Sequence, residues 1–261
     1  MSRQYNLGKV VILMILFFTN AFAVQRAGAL SLLISPSPQA NAMGQCYGTL
    51  WASDPMAGLF NPAAVGLFTQ KNKYGLSFYT QDAQWPVNGH SRWPYSAWTL
   101  SLGFDAFKES KIPMRLGLNY FGYYYRVGYL VGAESIDPAE FAQRANGLII
   151  STVIDLGFKV SFGYTFKYFE SQNGLFEKAK FNFGSRSFVH DLGIILQAPL
   201  FESKFENSFL QNLKITPFLM PGFHLSRRNI GPMLKYKDAA RKDPLPRQVY
   251  TGLALQAGLR H

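Results

Sequence analysis

Residues 156–169 alternate without a break between large apolar side chains and small or charged ones. Successive side chains of a β-strand point to opposite faces, so one face of this segment would be apolar and the other would carry two lysines among small residues. A strand with seven large side chains along one face is longer than most strands of soluble sandwiches. We therefore predict a strand with one face toward lipid and the other toward water. The apolar set is Leu156, Phe158, Val160, Phe162, Tyr164, Phe166 and Tyr168, and the opposite set is Gly157, Lys159, Ser161, Gly163, Thr165 and Lys167.

Further segments alternate in the same way, with varying clarity, and turn-forming residues separate them. They cover residues 74–80, 98–105, 115–120, 147–154, 191–197, 213–219 and 250–260. We predict an all-β fold, an antiparallel transmembrane β-barrel with about eight strands. The aromatic run at residues 120–125 fits an interfacial girdle. Long loops are expected at residues 127–144, 171–186 and 229–247, and a tight turn at residues 154–155, so that short turns would lie at one end of the barrel and long loops at the other.

The composition is that of a membrane β-barrel rather than of an average soluble domain. Aromatic and charged residues each make up 16% of the 261 residues, and glycine is abundant. The mean hydropathy of −0.02 agrees, because a lipid face and a water face cancel. The net charge of +11 comes mostly from basic residues scattered singly, which favours anionic lipid headgroups or an anionic ligand or partner over nucleic acid.

The N-terminus has the features of a secretory signal peptide. Arg3 and Lys9 precede the apolar residues 10–18, and residues 21–23 form a small-x-small cleavage site. The apolar run is shorter than the ~20 residues that a membrane-spanning helix needs. We predict that residues 1–23 are removed on export and that the mature chain lies in the bacterial outer membrane. Cys46 is the one cysteine, so no intramolecular disulfide forms, and we expect a small buried side chain there.

Residues 43–67 are apolar and rich in turn-forming residues, and their pattern does not predict a β-strand. Asp54 precedes Pro55, and Asn61 precedes Pro62; each pair places a side-chain acceptor at an N-cap and a residue with fixed φ at the first helical position. The pattern predicts two one-turn helices in a compact plug. We assign residues 24–70 to this plug and residues 71–261 to the barrel strands.

The segment LLISPSPQANAMGQCYGTLWASDPMAGLFNPAAVGL, residues 32–67, resembles the N-terminal segment of PorV/PorQ-type outer-membrane proteins, which are relatives of the FadL fatty-acid channels. The residues that carry this plug motif are Met43, Gly44, Asp54, Asn61, Pro62 and Ala63. Ala64 stands where that family usually has glycine. Residues 163–169 (GYTFKYF), residues 191–193 (DLG) and residues 228–255 (RNIGPMLKYKDAARKDPLPRQVYTGLAL) are also similar to strands and connections of the family, in the expected order. The resemblance implies a hatch segment inside a barrel lumen.

Four basic residues fall on the predicted water-facing side of strands: Arg115, Lys159, Lys167 and Lys214. A charge that faces lipid at the midplane costs roughly 2–4 kcal/mol, so these side chains are expected to face the lumen. They would form either an anionic path or ion pairs with plug carboxylates such as Asp54, and we favour the ion pairs because Asp54 would otherwise be buried and unpaired. The four histidines lie far apart and no nucleophile motif is present, so we expect no enzyme activity, no metal site and no cofactor.

Two functions from different classes follow from the resemblance. The first is assistance to protein export at the outer membrane, as in type IX secretion, with a secreted cargo protein or secretion pore subunits as partners. The alternative is a FadL-like channel for hydrophobic small molecules such as fatty acids, and a purely structural barrel is a third possibility. A closed plug with exposed aromatic loops would favour export, whereas a continuous apolar lumen groove with a lateral opening in the wall would favour the channel.

Eight strands closed into a barrel leave an interior that their own side chains fill, with no room for a plug. FadL relatives have more strands than this, and the pattern at residues 255–261 stops in the middle of a strand. We therefore expect an incomplete barrel: an open, strongly curved sheet, with the plug on its concave side and the strand ending at His261 unpaired at one edge.

Overall fold

The computed structural model describes residues 29–34, 36–42, 54–84, 92–105, 113–130, 139–175, 183–199, 216–235 and 242–260. The predicted signal peptide, Met43, Gly44, Cys46 and Lys214 lie outside these ranges.

The chain folds mostly into one antiparallel sheet of eight strands, and this confirms the all-β prediction. The strands lie in the order β1-β2-β3-β4-β5-β6-β7-β10, and a separate pair, β8 and β9, lies between β7 and β10 in the sequence. The bounds are β1 Tyr74–Gln84, β2 Arg92–Phe104, β3 Met114–Leu130, β4 Ala139–Asp155, β5 Lys159–Leu175, β6 Phe183–Gln197, β7 Thr216–Ile230, β8 Leu234–Lys235, β9 Lys242–Asp243 and β10 Gln248–Arg260.

Several strands are longer than predicted, and the predicted contrast between the two ends of the sheet holds only in part: the β4–β5 turn is tight and the connection at residues 231–247 is long, as predicted, but the other two predicted long loops are short. Strands β3, β4 and β5 have 17 residues each and take up much of what we had assigned to long loops. The connections that remain at that end, such as residues 131–138 and 176–182, are shorter than residues 198–215 at the other end. Near several strand ends the residues do not alternate between apolar and polar side chains. The strand pairing continues there, so the sequence pattern predicts strands that are too short. Residues 156–158, predicted as strand, form the β4–β5 turn, with Gly157 at φ 83°.

The two outer strands of the sheet are not paired with each other in the part of the chain that the structure describes. β1 pairs with β2, β10 pairs with β7, and no register joins β1 to β10. The described strands therefore form an open sheet.

In the described residues, four short helices precede the sheet: a 3-10 helix at Leu30–Leu33, an α-helix at Pro38–Ala42, a 3-10 helix at Pro55–Leu59 and an α-helix at Ala64–Lys71. Asp54 is the N-cap of the third, and its side chain accepts a hydrogen bond from the Met56 amide at 2.8 Å. The Asn61 side chain accepts from the Ala63 amide at 3.0 Å, so it caps the turn that leads into the last helix. That helix has eight residues, two turns rather than the one turn predicted. None of the described helices is both long and apolar enough to cross a membrane.

Residues 54–71, called the helical segment below, lie against one face of the sheet, called the inner face. The stretch from Phe60 to Thr69 contacts strands from β1 to β7; Gly75 of β1 packs against Phe68, and Ser226 of β7 donates a hydrogen bond to the Phe60 carbonyl at 3.1 Å. In a flat sheet β1 and β7 would lie about 29 Å apart, at about 4.8 Å per strand. The helix Ala64–Lys71 is only about 12 Å long. The sheet therefore curves around the helical segment, which lies on its concave side.

The two faces of the sheet differ sharply in polarity. On β5 the inner-face residues Ser161, Thr165 and Lys167 are buried, whereas the outer-face residues Phe162 and Phe166 are 45% and 43% exposed. This is the alternation predicted for residues 156–169. The same outer face exposes large apolar side chains on the other strands of the sheet, including Leu76, Phe78, Leu100, Tyr120, Ile150, Leu192, Leu253 and Leu255.

Candidate functional site: the filled inner face

Small residues of the inner face let the backbone of the helical segment come very close to the sheet. A Cβ atom added at Gly163 of β5 would lie 2.1 Å from the Pro62 carbonyl carbon, and one added at Gly193 of β6 would lie 2.0 Å from Asn61 Oδ1. Real Cβ contacts do not approach this closely, so larger side chains at either position would displace the segment. The glycines that we assigned to the water-facing side of these strands thus form the seat of the Asn61–Pro62 turn.

Serine side chains fix the segment further by hydrogen bonds. Ser161 Oγ donates to the Ala63 carbonyl at 2.6 Å, and the Gly66 amide donates to Ser151 Oγ at 3.0 Å. The Gly66 amide is one of the N–H groups that a helix leaves free in its first turn, and the bond from Ser161 ties the carbonyl of the N-cap residue Ala63 to the sheet. The alternation of residues 156–169 predicts the face on which Ser161 lies, but no sequence pattern indicates its bond to the helical segment.

The plug-motif residues that the structure describes lie together. Asp54 is buried, and besides capping the helix Pro55–Leu59 it accepts a hydrogen bond from Ser37 Oγ. Asn61 Nδ2 donates to the Ile194 carbonyl of β6 at 3.4 Å while Oδ1 caps the following turn. Pro62 and Ala63 are buried beneath β5. The motif therefore supplies both the caps of the helical segment and its contacts with the sheet.

The predicted cations lie as follows. Arg115 is half-buried on the inner face of β3, forms an ion pair with Asp105 at 2.6 Å and donates to the Gln70 carbonyl. Lys167 is buried and pairs with Asp191 at 2.8 Å. Lys159 begins β5 and is half-buried. Arg115 is therefore paired with Asp105, directly after β2, and Lys167 with Asp191 of β6, so the expected pairing of such cations with Asp54 is wrong for both.

A polar network around Lys167 links three strands to the connection after β7. Lys167 Nζ donates to the side-chain oxygen Oδ1 of Asn229 at 2.9 Å. The backbone N–H of Asn229 donates to Asp191 Oδ1 at 2.7 Å. Asn229 Nδ2 donates in turn to the Pro246 carbonyl at 2.9 Å. Asn229 has a φ of 58°, in the left-handed region where asparagine is among the few tolerated residues. Asp191 and Asn229 were noted in the sequence as parts of a resemblance, but their contact could not be deduced from it.

On the outer face, the exposed apolar side chains form a band that ends at charged residues. Apolar or aromatic residues or glycine occupy the outer-face positions of residues 116–124 of β3, 160–168 of β5 and 188–196 of β6, except for His190, whose ring bonds to the Tyr164 hydroxyl at 2.6 Å. On β7 the apolar positions end at Leu225, and Arg227 beyond it is exposed.

The charged residues directly beyond this band form a row across three strands. Arg144 of β4 lies opposite Glu170 of β5, which lies opposite Arg186 of β6. Arg144 Nε donates to Glu170 Oε2 at 2.7 Å, and Arg186 Nε donates to Oε1 at 3.3 Å. The two arginine side chains remain 56% and 70% exposed, whereas the glutamate they cover is 3% exposed.

Within the described ranges, no three histidine, cysteine, aspartate or glutamate side chains lie close enough together to hold a metal ion. No family model matches the chain, and no curated protein matches it. The resemblance to PorV/PorQ-type proteins thus stays a prediction from the sequence.

Proposed function

We propose that this chain is a PorV/PorQ-like protein of the bacterial outer membrane, whose sheet spans the bilayer with the outer face toward lipid, whose helical segment is a plug, and which assists protein export. The observation that carries the proposal is the difference between the two faces of one sheet: the outer face exposes large apolar side chains, whereas the inner face carries buried polar and apolar side chains and is covered by the helical segment. Soluble monomers rarely expose apolar patches larger than a few hundred Å², and here such side chains cover several adjacent strands.

The height of the apolar band supports a bilayer. Residues 160–168 of β5 cover about 31 Å along the strand at ~3.4 Å per residue. With the strand tilt of about 40° found in transmembrane barrels, this corresponds to about 23 Å across the membrane, close to the ~25 Å apolar band of known barrels. The arginines of the row Arg144–Glu170–Arg186 would then lie at headgroup level, where a guanidinium can meet lipid phosphates.

The filled inner face favours the export role over a hydrophobic channel. In the described part of the chain, the helical segment lies across β1 to β7, and its sheet contacts include serine, asparagine and glycine residues. A long-chain hydrophobic solute needs apolar walls along its path. In the described residues, the apolar side chains of the inner face, such as Phe121, Ile149 and Phe169, are themselves fully buried, so they offer no open wall to such a solute. In the export role, the plug would fill the inner face, and the loops of the sheet would contact a cargo protein or a secretion pore subunit.

A channel for hydrophobic small molecules remains a second candidate, because β1 and β10 are not paired with each other in the described residues. A lateral gap of this kind would let an apolar solute pass between lumen and lipid.

The experiment that separates these roles uses a strain of the source bacterium that lacks the gene. If the protein assists export, secreted proteins will accumulate in the periplasm of this strain, and growth on long-chain fatty acids will be unchanged. Expression of the wild-type chain should restore secretion, whereas the Gly163→Leu variant, in which the helical segment cannot seat, should not. Normal secretion together with lost fatty-acid uptake would contradict the export role and support the channel.

A further inference from the structure

Arg228 is a buried cation on the inner face that has no carboxylate partner among the described residues. Its side chain is 7% exposed, and its Nε makes no hydrogen bond in the described part of the structure. Its one described hydrogen bond is from Nη2 to the Leu32 carbonyl, at 3.4 Å. Its guanidinium lies over the rings of Phe60 and Tyr250, 5.8 Å and 5.7 Å from their centroids. Such ring contacts offset only part of the cost of burying a charge.

The charged groups nearest to Arg228 do not neutralise it. Lys167 lies close enough to repel it, and the carboxylate in this part of the inner face, Asp191, is already paired with Lys167. Among the residues that the structure describes, two cations and one anion leave this cluster with one net positive charge. An uncompensated charge in a buried site strongly favours a counter-ion.

Two unpartnered hydroxyl groups lie in the same part of the inner face, because Ser31 precedes Leu32, whose carbonyl accepts the Arg228 hydrogen bond, and Tyr123 packs in the same core cluster as Leu32. The Tyr123 hydroxyl and the Ser31 hydroxyl are buried, lie next to each other, and have no hydrogen-bond partner of good geometry among the described residues. A bond between these two hydroxyls would use one of their two protons, so one O–H would still be free to donate. Tyr95, whose ring stacks on Tyr123 at 6.1 Å between centroids, is also within electrostatic range of Arg228.

We propose that Arg228, Tyr123 and Ser31 form a binding site for one oxyanion group, a carboxylate or a phosphate. The guanidinium supplies the charge and a planar set of donors that matches two oxygens of such a group, and the hydroxyls supply further donors. The oxyanion is either a free ion or the head group of an amphiphile, and its oxygens would meet the same donors in both cases. This site does not depend on the export role, because it follows from the charge and hydrogen-bond balance of the inner face.

The test is the thermal unfolding midpoint of the full chain in detergent, with acetate, phosphate or decanoate added against chloride at equal ionic strength. At least one of the three anions should raise the midpoint in a saturable way, because a ligand that binds the folded state stabilises it. A response to acetate or phosphate identifies a free ion, and a response to decanoate alone identifies an amphiphile head. No saturable response to any of the three would overturn the proposal.

The variants assign the effect to Arg228. In Arg228→Gln the apparent affinity should fall at least ~10-fold, as expected when a charge-assisted bond is lost. Arg227→Gln is the matched control, because Arg227 is the adjacent residue on the outer face and is exposed; its affinity should equal that of the wild type. Unchanged affinity in Arg228→Gln would refute the site. If that variant does not fold, Tyr123→Phe removes one hydroxyl only and should weaken binding a few-fold, and equal affinity there would refute the site as well.

Discussion

Lys167 and Asp191 form an ion pair across the neighbouring strands β5 and β6, with 2.8 Å between Nζ and Oδ2 and with both side chains less than 5% exposed. Asn229 bonds to both partners, so the pair also holds the end of β7. Because the charges are buried, each one depends on the other for its stability.

Replacement of one partner should therefore be more harmful than replacement of both. Lys167→Met leaves the Asp191 carboxylate buried and unpaired, and we expect a loss of about 3–5 kcal/mol in the free energy of unfolding. The double variant Lys167→Met with Asp191→Leu should recover part of this loss. Denaturant unfolding of the detergent-solubilised protein measures both. Lys159→Met, at the half-buried start of β5, is the control and should change little; a similar loss in that control would contradict a specific role for the pair.

Gly163→Leu should detach the helical segment from the sheet. Its Cβ alone would lie 2.1 Å from the Pro62 carbonyl carbon, and a backbone atom cannot yield as a flexible side chain does. Limited proteolysis should then cleave residues 54–71 several-fold faster than in the wild type. The control is Gly184→Ala, because a Cβ there meets nothing within 4 Å. Equal cleavage rates in all three proteins would show that Gly163 does not seat the segment.

The double replacement Asn61→Ala with Pro62→Gly should loosen the turn that leads into helix Ala64–Lys71. It removes the cap at Ala63 and the hydrogen bond to Ile194, and the loss of a cap costs about 0.5–2 kcal/mol. Proteoliposomes that contain the variant should be more permeable to small hydrophilic solutes. Lys73→Ala, at an exposed position before β1, should leave permeability at the wild-type level. Low permeability in the double variant would mean that the segment is not a plug.

A charge placed in the middle of the apolar band should impair membrane insertion. Ile150 is 45% exposed on the outer face of β4, and an arginine at the bilayer midplane costs about 2–4 kcal/mol. A smaller fraction of the Ile150→Arg variant than of the wild type should therefore refold into lipid vesicles. The control is Gln172→Arg, which adds an arginine to β5 beyond the row Arg144–Glu170–Arg186. The side chain at this position is exposed and lies outside the apolar band, so this variant should insert normally. Equal insertion of both variants would argue against lipid contact at Ile150.

The sequence allowed the faces of the strands to be predicted better than their lengths or their contacts. The alternation of residues 156–169 identified the buried and exposed sides of β5, because burial against the helical segment requires small residues at Ser161 and Gly163. The caps at Asp54 and Asn61 are bonds to residues two positions further along the chain, so they could also be predicted from the local sequence.

Contacts between strands could not be predicted in this way. The row Arg144–Glu170–Arg186 depends on the registers of two strand pairs, and neither register is encoded in a local pattern. The predicted partner of Lys167 is wrong for the same reason. Asp191 forms the ion pair, but no sequence motif indicates that Asp191 rather than Asp54 lies next to Lys167.

The claim that β5 crosses a lipid bilayer is tested most directly by spin labels placed one at a time at residues 162, 164 and 166, with residue 172 beyond the apolar band for comparison, in a Cys46→Ser background, on protein reconstituted in vesicles. Collision with oxygen, which concentrates in lipid, should peak at positions 162, 164 and 166, whose side chains lie on the exposed outer face. Collision with a water-soluble nickel complex should stay low at the same three positions. If the nickel complex reaches positions 162, 164 and 166 more readily than oxygen does, the outer face is in water and the account is wrong.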